Sequence, residues 1–141
     1  MYFSKKQRVD LPMKLSFKQR AYLALKGLRF PDRQDRIVRN QDACAVVRMS
    51  YDNPRNYWLN GYVALPLSRI PESDRHYDSP KWYGCGAHGG LTFAFEDEEQ
   101  DIMIFGFDTA HYGDDEVPEF QDPDHILRMA KELRKKLLAR L

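Results

Sequence analysis

Two apolar runs of strand length dominate the hydrophobic pattern of the chain, and the acidic segment 96–101 joins them. In the first run, 90–96, large apolar residues alternate with smaller or polar ones, which predicts a strand with one strongly apolar face. The alternating residues are Leu91, Phe93 and Phe95. The second run, 101–108, is apolar from Ile102 to Phe107, which predicts a strand buried on both faces.

Pairing of these two runs as a hairpin places the His88 end of the first strand beside the Asp108 end of the second. Polar and titratable residues then gather at one edge of a sheet, above a buried scaffold. Binding and catalytic residues are often found in such positions, so this edge is the candidate site.

The flanking patterns predict an α+β fold. Segments 42–51 and 57–65 have the composition of strands, and the turn-forming residues 52–56 between them predict a second antiparallel hairpin. Asp122-Pro123-Asp124 is typical of a helix start, and apolar residues then recur at helical spacing. We therefore predict a mainly antiparallel sheet of about four strands, with a helix over 122–140 packed on one face.

The chain of 141 residues fits a single domain. Residues 1–15 are predicted to form a basic arm, and Ser16 opens a short N-terminal helix that Gly27 can end. Residues 66–87 form a connection rich in proline and glycine, and connections of this length are uncommon unless they are functional. Its aromatic residues favour a packed loop or lid.

The net charge of +1 conceals a strong segregation along the chain. Residues 1–40 hold eleven Lys/Arg and three Asp/Glu, and residues 125–141 hold six and one. Residues 74–124 instead hold two Lys/Arg and fourteen Asp/Glu. The basic ends could bind nucleic acid, but pairing with the acidic middle of the chain is the favoured explanation.

Several classes of protein are not indicated. No run of about 18 apolar residues predicts a membrane span, and the N-terminus lacks the apolar segment of a signal peptide, so a cytoplasmic protein is expected. No P-loop, dinucleotide-binding glycine motif, zinc-ribbon spacing or nucleophile elbow is present. Cys44 and Cys85 are expected to be free thiols that serve packing. Whether the protein is an enzyme stays open.

Four titratable residues at the predicted edge offer chemistry: His88, Asp108, His111 and Asp114. If His88, Asp108 and His111 converge, they can bind a divalent metal such as Zn²⁺, Mn²⁺ or Fe²⁺ and support hydrolysis. General acid–base catalysis by either histidine, oriented by Asp108, is a second interpretation. A third is structural, with Asp108 capping the following turn and His111 bonded inside it.

Binding of a small polar ligand is the preferred interpretation. The pocket is predicted between the 66–87 loop and the His88/Asp108 edge, where backbone amides, aromatic rings and polar strand ends suit a nucleotide-like ligand. The predicted ligand-binding residues are Tyr62, Trp82, His88, Gly89, Gly90, Thr92, Asp108, His111 and Asp114.

Three motifs carry a resemblance to a protein family. They are Gly61-Tyr-Val-Ala-Leu-Pro66, His88-Gly-Gly-Leu-Thr92 and Gly106-Phe-Asp-Thr-Ala-His-Tyr-Gly-Asp114. In these motifs the middle of the chain resembles a family of small uncharacterised proteins common in bacteriophage and prophage genomes. Members of that family carry cysteine at the positions of Asn60 and Thr109, which argues against a cysteine-dependent role in this chain.

The resemblance implies an origin in a phage or mobile element and an accessory role. Small phage accessory proteins often act against host defence, by binding a host protein or by capturing or degrading a nucleotide signal. We therefore expect a phage-encoded protein in the host cytoplasm that binds a small polar ligand. Inhibition of a host defence complex through the segregated charges, and metal-dependent hydrolysis by His88, Asp108 and His111, are the alternatives.

Overall fold

The computed structural model describes residues 36–40, 43–49, 57–110 and 113–141. Within these ranges, five strands form one antiparallel sheet in the order β1-β2-β3-β5-β4. The strands are β1 (Arg36–Asn40), β2 (Ala43–Met49), β3 (Tyr57–Pro66), β4 (Phe93–Asp97) and β5 (Ile102–Asp108). Because β5 returns between β3 and β4, it is an interior strand with a hydrogen-bonded neighbour on each side.

The α+β architecture is confirmed, and each of the four predicted strand segments contains a strand. The sheet also has an edge strand, β1, in a segment for which the sequence predicted no strand. Its sequence, Arg-Ile-Val-Arg-Asn, is too short for alternation to predict a strand. The predicted N-terminal arm and the helix starting at Ser16 lie outside the described residues and stay predictions.

The C-terminal helix, α1 (Pro123–Leu138), is capped as predicted. The Asp122 side chain accepts a hydrogen bond from the Asp124 amide at 3.0 Å, and Pro123 occupies the first helical position. One stripe of the helix is buried against the sheet, as its spacing predicts. The buried residues of this stripe are Ile126, Ala130, Leu133 and Leu137. Over the described ranges, no helix combines the length and apolar character needed to cross a bilayer.

The hydrophobic core fills the space between α1 and one face of the sheet. From the sheet it receives Leu59, Val63, Leu65, Met103, Phe105 and Phe107. The opposite face of β5 is buried as well, since Ile104 is only 1% exposed. The prediction that β5 is buried on both faces is therefore confirmed.

The predicted common face of Leu91, Phe93 and Phe95 is wrong for Leu91. Leu91 packs against the core on the α1 side, whereas Phe93 contacts Tyr62 on the other face of the sheet. The reason is that β4 begins only at Phe93 and the preceding Gly90 has a positive φ of 83°, so the alternation does not extend back to Leu91.

Arg134 fastens α1 to the sheet at the Ala43 end of β2, where that strand begins. The last residue pair between β2 and β3 is Ala43 with Val63, so β2 supplies no partner to the carbonyl of Ala64. Arg134 Nε donates a hydrogen bond to that carbonyl oxygen at 2.8 Å. A backbone acceptor at the end of the ladder is thereby satisfied by the helix.

The 66–87 connection is packed into the fold, as predicted, and three 3-10 turns give it structure. It adds Leu67, Ile70, Trp82 and Cys85 to the core. The Arg75 guanidinium donates to the carbonyl oxygens of Ile70 at 2.9 Å and Leu67 at 3.3 Å, which satisfies backbone groups inside the loop. This segment is therefore a packed part of the hydrophobic core.

The stripe on α1 generates a stability prediction. Leu133 is 2% exposed, so Leu133→Ala should lower the free energy of unfolding by about 2–5 kcal/mol through lost burial and a residual cavity. Lys131→Ala, at an exposed position of the same helix, is the matched control and should change it by less than about 0.5 kcal/mol. Urea denaturation measures both variants, and an equally small loss for Leu133→Ala would show that the stripe is not buried.

Candidate functional site

The candidate site lies on the sheet face opposite α1, where β3 begins and β5 ends. Asn60 on β3 is directly opposite Asp108 on β5. Hydrogen bonds fix the orientation of this pair. Thr109 N donates to Leu59 O at 2.9 Å, so the backbone carbonyl of Leu59 points toward β5. Thr92 N donates to Gly106 O at 2.9 Å, so the backbone carbonyl of Gly106 points toward the β4 side of β5. Asn60 and Asp108 therefore form a non-hydrogen-bonded pair, the geometry in which opposing side chains are closest.

An open cleft of about 300 Å³ occupies this end of the sheet. Aromatic rings and polar groups both contribute to its walls, which is the usual composition of a small-molecule site. The lining residues are Trp58, Asn60, Tyr62, Thr92, Phe93, Phe107, Asp108 and Ala110. Three of the predicted site residues, Tyr62, Thr92 and Asp108, are thus brought together.

The cleft depends on the absence of a side chain at Gly106. A Cβ atom there would lie 2.7 Å from Tyr62 Cδ1 and 3.2 Å from the Gly61 carbonyl oxygen. The Tyr62 ring instead lies across the strand and meets Phe93 edge-on, with ring centroids 5.5 Å apart. Glycine in this bulky strand therefore provides space for a neighbour, one of the two roles that such glycines have.

Two hydrogen bonds orient the Asp108 carboxylate. Thr92 Oγ1 donates to Oδ2 at 3.1 Å, and the backbone amide of Ala110 donates to Oδ1 at 3.0 Å. The second bond confirms the predicted capping of the turn after β5. The carboxylate therefore has a structural partner on each oxygen and also lines the cleft.

Asn60 is the unusual member of the cleft. It is only 4% exposed, and its Nδ2 donates to the Tyr62 hydroxyl at 2.9 Å. Its Oδ1 is buried and has no hydrogen-bond partner among the residues that the structure describes. A buried polar atom without a partner costs roughly 1–3 kcal/mol, so it calls for an explanation.

His88 pairs with Asp114, and neither residue is among those that line the cleft. His88 Nε2 lies 2.9 Å from Oδ1 and 3.0 Å from Oδ2 of Asp114, and the carboxylate residue is 7% exposed. The imidazole also packs on Phe120, with ring centroids 4.2 Å apart. This contact joins the turn before β4 to the segment after β5, a structural role for two predicted site residues.

Gly89 and Gly90 shape the turn that carries His88. Their φ values are 67° and 83°, and the Gly90 amide donates to the Ala87 carbonyl at 3.0 Å. The glycine pair is therefore explained by backbone conformation. Gly90 also lines a second groove, of about 570 Å³, between the end of the 66–87 loop and Leu91.

Trp82 lines that second groove but not the cleft. The residue is 3% exposed, and its indole Nε1 donates to the Asp74 carbonyl at 2.8 Å, so packing and loop closure account for it. The single pocket predicted between the loop and the His88/Asp108 edge is thus divided into two concave regions.

The predicted metal site is not assembled by the described part of the chain. Among those residues, no group of three His, Cys, Asp or Glu side chains is arranged to hold a metal ion. His111, the third predicted ligand, lies outside them, so the triad stays a prediction.

Cys85 is a buried packing residue, as predicted. It is 3% exposed and belongs to the core, and burial raises the pKa of its thiol against the opposing effect of Arg140 and Lys136. The thiol form is therefore favoured, which is the opposite of what a nucleophilic cysteine needs.

The ligand-binding residues predicted from the sequence did not include Trp58 and Asn60. Both line the cleft from β3, three residues and one residue before the motif that begins at Gly61. Their place in the cleft follows from the register of β3 against β5. That register brings Asn60 beside Asp108, although the two residues are 48 positions apart in the sequence. Only the observation that polar Asn60 interrupts an apolar strand could have indicated it.

Comparison of the chain with protein-family models, with curated proteins and with solved structures finds no significant match. The resemblance to phage proteins therefore stays a prediction.

The His88–Asp114 contact generates the second prediction. Asp114→Asn removes the buried carboxylate that faces the imidazole, so the free energy of unfolding should fall by about 1–3 kcal/mol. Glu116→Gln makes the same chemical change at an exposed position of the same 3-10 turn and should have almost no effect. Thermal denaturation compares the two, and equal stability of both variants would remove any structural role for the pair.

Reactivity tests the assignment of Cys85. At neutral pH, iodoacetamide should leave Cys85 unlabelled in the folded protein and label it fully after unfolding in guanidinium, because the native thiol is buried and protonated. Mass spectrometry of the Cys85 peptide separates it from Cys44. Rapid labelling of Cys85 in the folded state would contradict the assignment.

Proposed function

We propose that the protein binds a small, planar, polar ligand in the cleft between β3, β5 and the start of β4. The observation that carries this proposal is the Asn60 amide, which is buried in the wall of the cleft with one polar atom unpaired. A ligand that supplies the missing hydrogen bond would offset the desolvation of that atom.

The composition of the cleft supports a flat ligand. Trp58, Tyr62 and Phe93 supply aromatic surface, while Thr92 and Asp108 supply polar groups. Aromatic rings bind planar heterocycles through stacking or edge contacts, and a few oriented polar groups then select among them. A nucleobase has this combination of flat faces and a polar edge.

The negative charge around the cleft favours a ligand that places a neutral or cationic group there, and it disfavours a phosphate. Asp108 is an oriented carboxylate in the cleft wall, and residues 74–124 hold fourteen Asp/Glu and only two Lys/Arg. A phosphate beside Asp108 would experience like-charge repulsion. If the ligand is a nucleotide derivative, its base occupies the cleft and its phosphates extend away from it.

The family resemblance gives this binding activity a biological setting. In this proposal the protein is a phage accessory protein in the host cytoplasm, and it captures a nucleotide-type signal that a host defence system uses. Capture requires affinity and burial of the ligand without bond cleavage. The cleft supplies hydrogen-bonding and aromatic groups, which suffice for that task.

A ligand screen tests the proposal. The purified 141-residue chain is heated with individual nucleosides, nucleotides and related heterocycles, and a ligand in excess of its Kd should raise the melting temperature through linkage. Asn60→Leu, which keeps the branching at Cγ but removes the amide, should abolish the shift. Glu99→Gln, at an exposed position in the β4–β5 turn, is the control and should preserve it.

Two results would contradict the proposal. One is the absence of any stabilising small molecule in the screen together with salt-sensitive association with a host protein, which would favour the protein-binding alternative. The other is a shift of equal size in Asn60→Leu, which would place the ligand elsewhere on the protein.

A further inference from the structure

The polar atoms that Asn60 and Asp108 can offer to a ligand are hydrogen-bond acceptors. On the basis of the binding function proposed above, we infer that the ligand presents a planar edge with two adjacent N–H donors to Asp108 and Asn60. Amidinium groups have such an edge, and so does guanine at N1–H and the N2 amino group. The shared chemistry is an amidine-type edge.

The polar atoms of this pair are acceptors. The Asn60 amide nitrogen already donates to Tyr62, so the atom left over is the carbonyl oxygen Oδ1. Opposite it stands Asp108, whose carboxylate oxygens are hydrogen-bond acceptors. A ligand that hydrogen-bonds to the side-chain oxygens of Asn60 and Asp108 must therefore bring N–H groups.

The register places these acceptors within reach of one ligand edge. Asn60 and Asp108 are directly opposed and form a non-hydrogen-bonded pair, for which Cα atoms are about 4.5 Å apart. Adjacent N–H donors on an amidine-type edge point in the same direction, and a carboxylate accepts such a pair as two parallel hydrogen bonds. One ligand can thus contact Asp108 through its edge and Asn60 through a neighbouring N–H.

The carboxylate is already held in position for this contact. Thr92 Oγ1 and the Ala110 amide fix its two oxygens from β4 and from the turn after β5. Bidentate recognition depends on such orientation, since a rotating carboxylate loses entropy when it binds. The hydrogen bonds seen around Asp108 are therefore positioning contacts for recognition.

The same acceptors exclude close analogues. Adenine presents an acceptor, N1, beside its amino group, so one of its edge atoms would face a carboxylate oxygen lone pair to lone pair. Inosine keeps N1–H but lacks the amino group of guanosine. A site built to hydrogen-bond a group rejects an analogue that lacks it, because its own polar atoms are left unpaired.

Two matched ligand pairs test the inference on the 141-residue chain. Calorimetry should show guanosine binding at least about tenfold more tightly than inosine, or benzamidine at least about tenfold more tightly than benzamide. Preference within the first pair identifies a guanine base as the source of the edge, and preference within the second identifies a cationic amidine. In Asp108→Asn, where an acceptor oxygen becomes a donor, the preference should disappear. Glu99→Gln should keep it.

The outcomes separate this inference from the function on which it rests. If adenosine, inosine or benzamide binds as tightly as its partner and Asn60→Leu abolishes that binding, the cleft is a ligand site but the donor edge is wrong. If both pairs fail while another planar compound binds in an Asn60-dependent way, the donor edge is again wrong. If no compound binds at the cleft at all, the proposed function itself fails.

Discussion

Burial of β5 on both faces is the constraint on which the rest of the fold depends. Met103, Phe105 and Phe107 are at most 1% exposed toward α1, and Ile104 is buried on the other face. A strand of this kind must lie inside a sheet, which explains why β4 adds at the edge and β5 returns beside β3. This buried strand ends at Asp108, so the carboxylate of Asp108 lies at the end of the sheet.

The core and the cleft both depend on glycine residues that make room for a large aromatic ring on the neighbouring strand. Gly61 on β3 is directly opposite Phe107 on β5, and Gly106 on β5 is directly opposite Tyr62 on β3. A Cβ at Gly61 would lie 2.5 Å from the Phe107 ring, and one at Gly106 would lie 2.7 Å from the Tyr62 ring. Each large ring thus fills the space above a glycine on the neighbouring strand. On the α1 face the result is dense packing, and on the other face it turns Tyr62 toward Phe93 and opens the cleft beside it.

Local signals in the sequence predicted the elements and one half of the site. The apolar run 102–107 predicted the buried strand, Asp122-Pro123 predicted the helix start, and the hairpin brought Thr92 beside Asp108. The other half depends on tertiary pairing. Nothing local to β3 indicates that Asn60 faces Asp108, because that contact follows from β3–β5 register and the edge position of β4. His88 was placed near the correct edge, but its partner is Asp114, which chain direction alone does not reveal.

A polar residue in place of an apolar one at Asn60 is difficult to explain by stability. Its neighbours on β3, Leu59 and Tyr62, are almost fully buried, and an aliphatic side chain at this position would leave no unpaired atom. Asn60 does support Tyr62 through one hydrogen bond, yet its oxygen remains buried and unpaired at the cleft. Cores place their unsatisfied groups where function requires them, and a ligand that pairs with this oxygen would stabilise the folded state by its own binding free energy. In the proposed binding function, this energetic penalty in the free protein would favour ligands that bring a donor group.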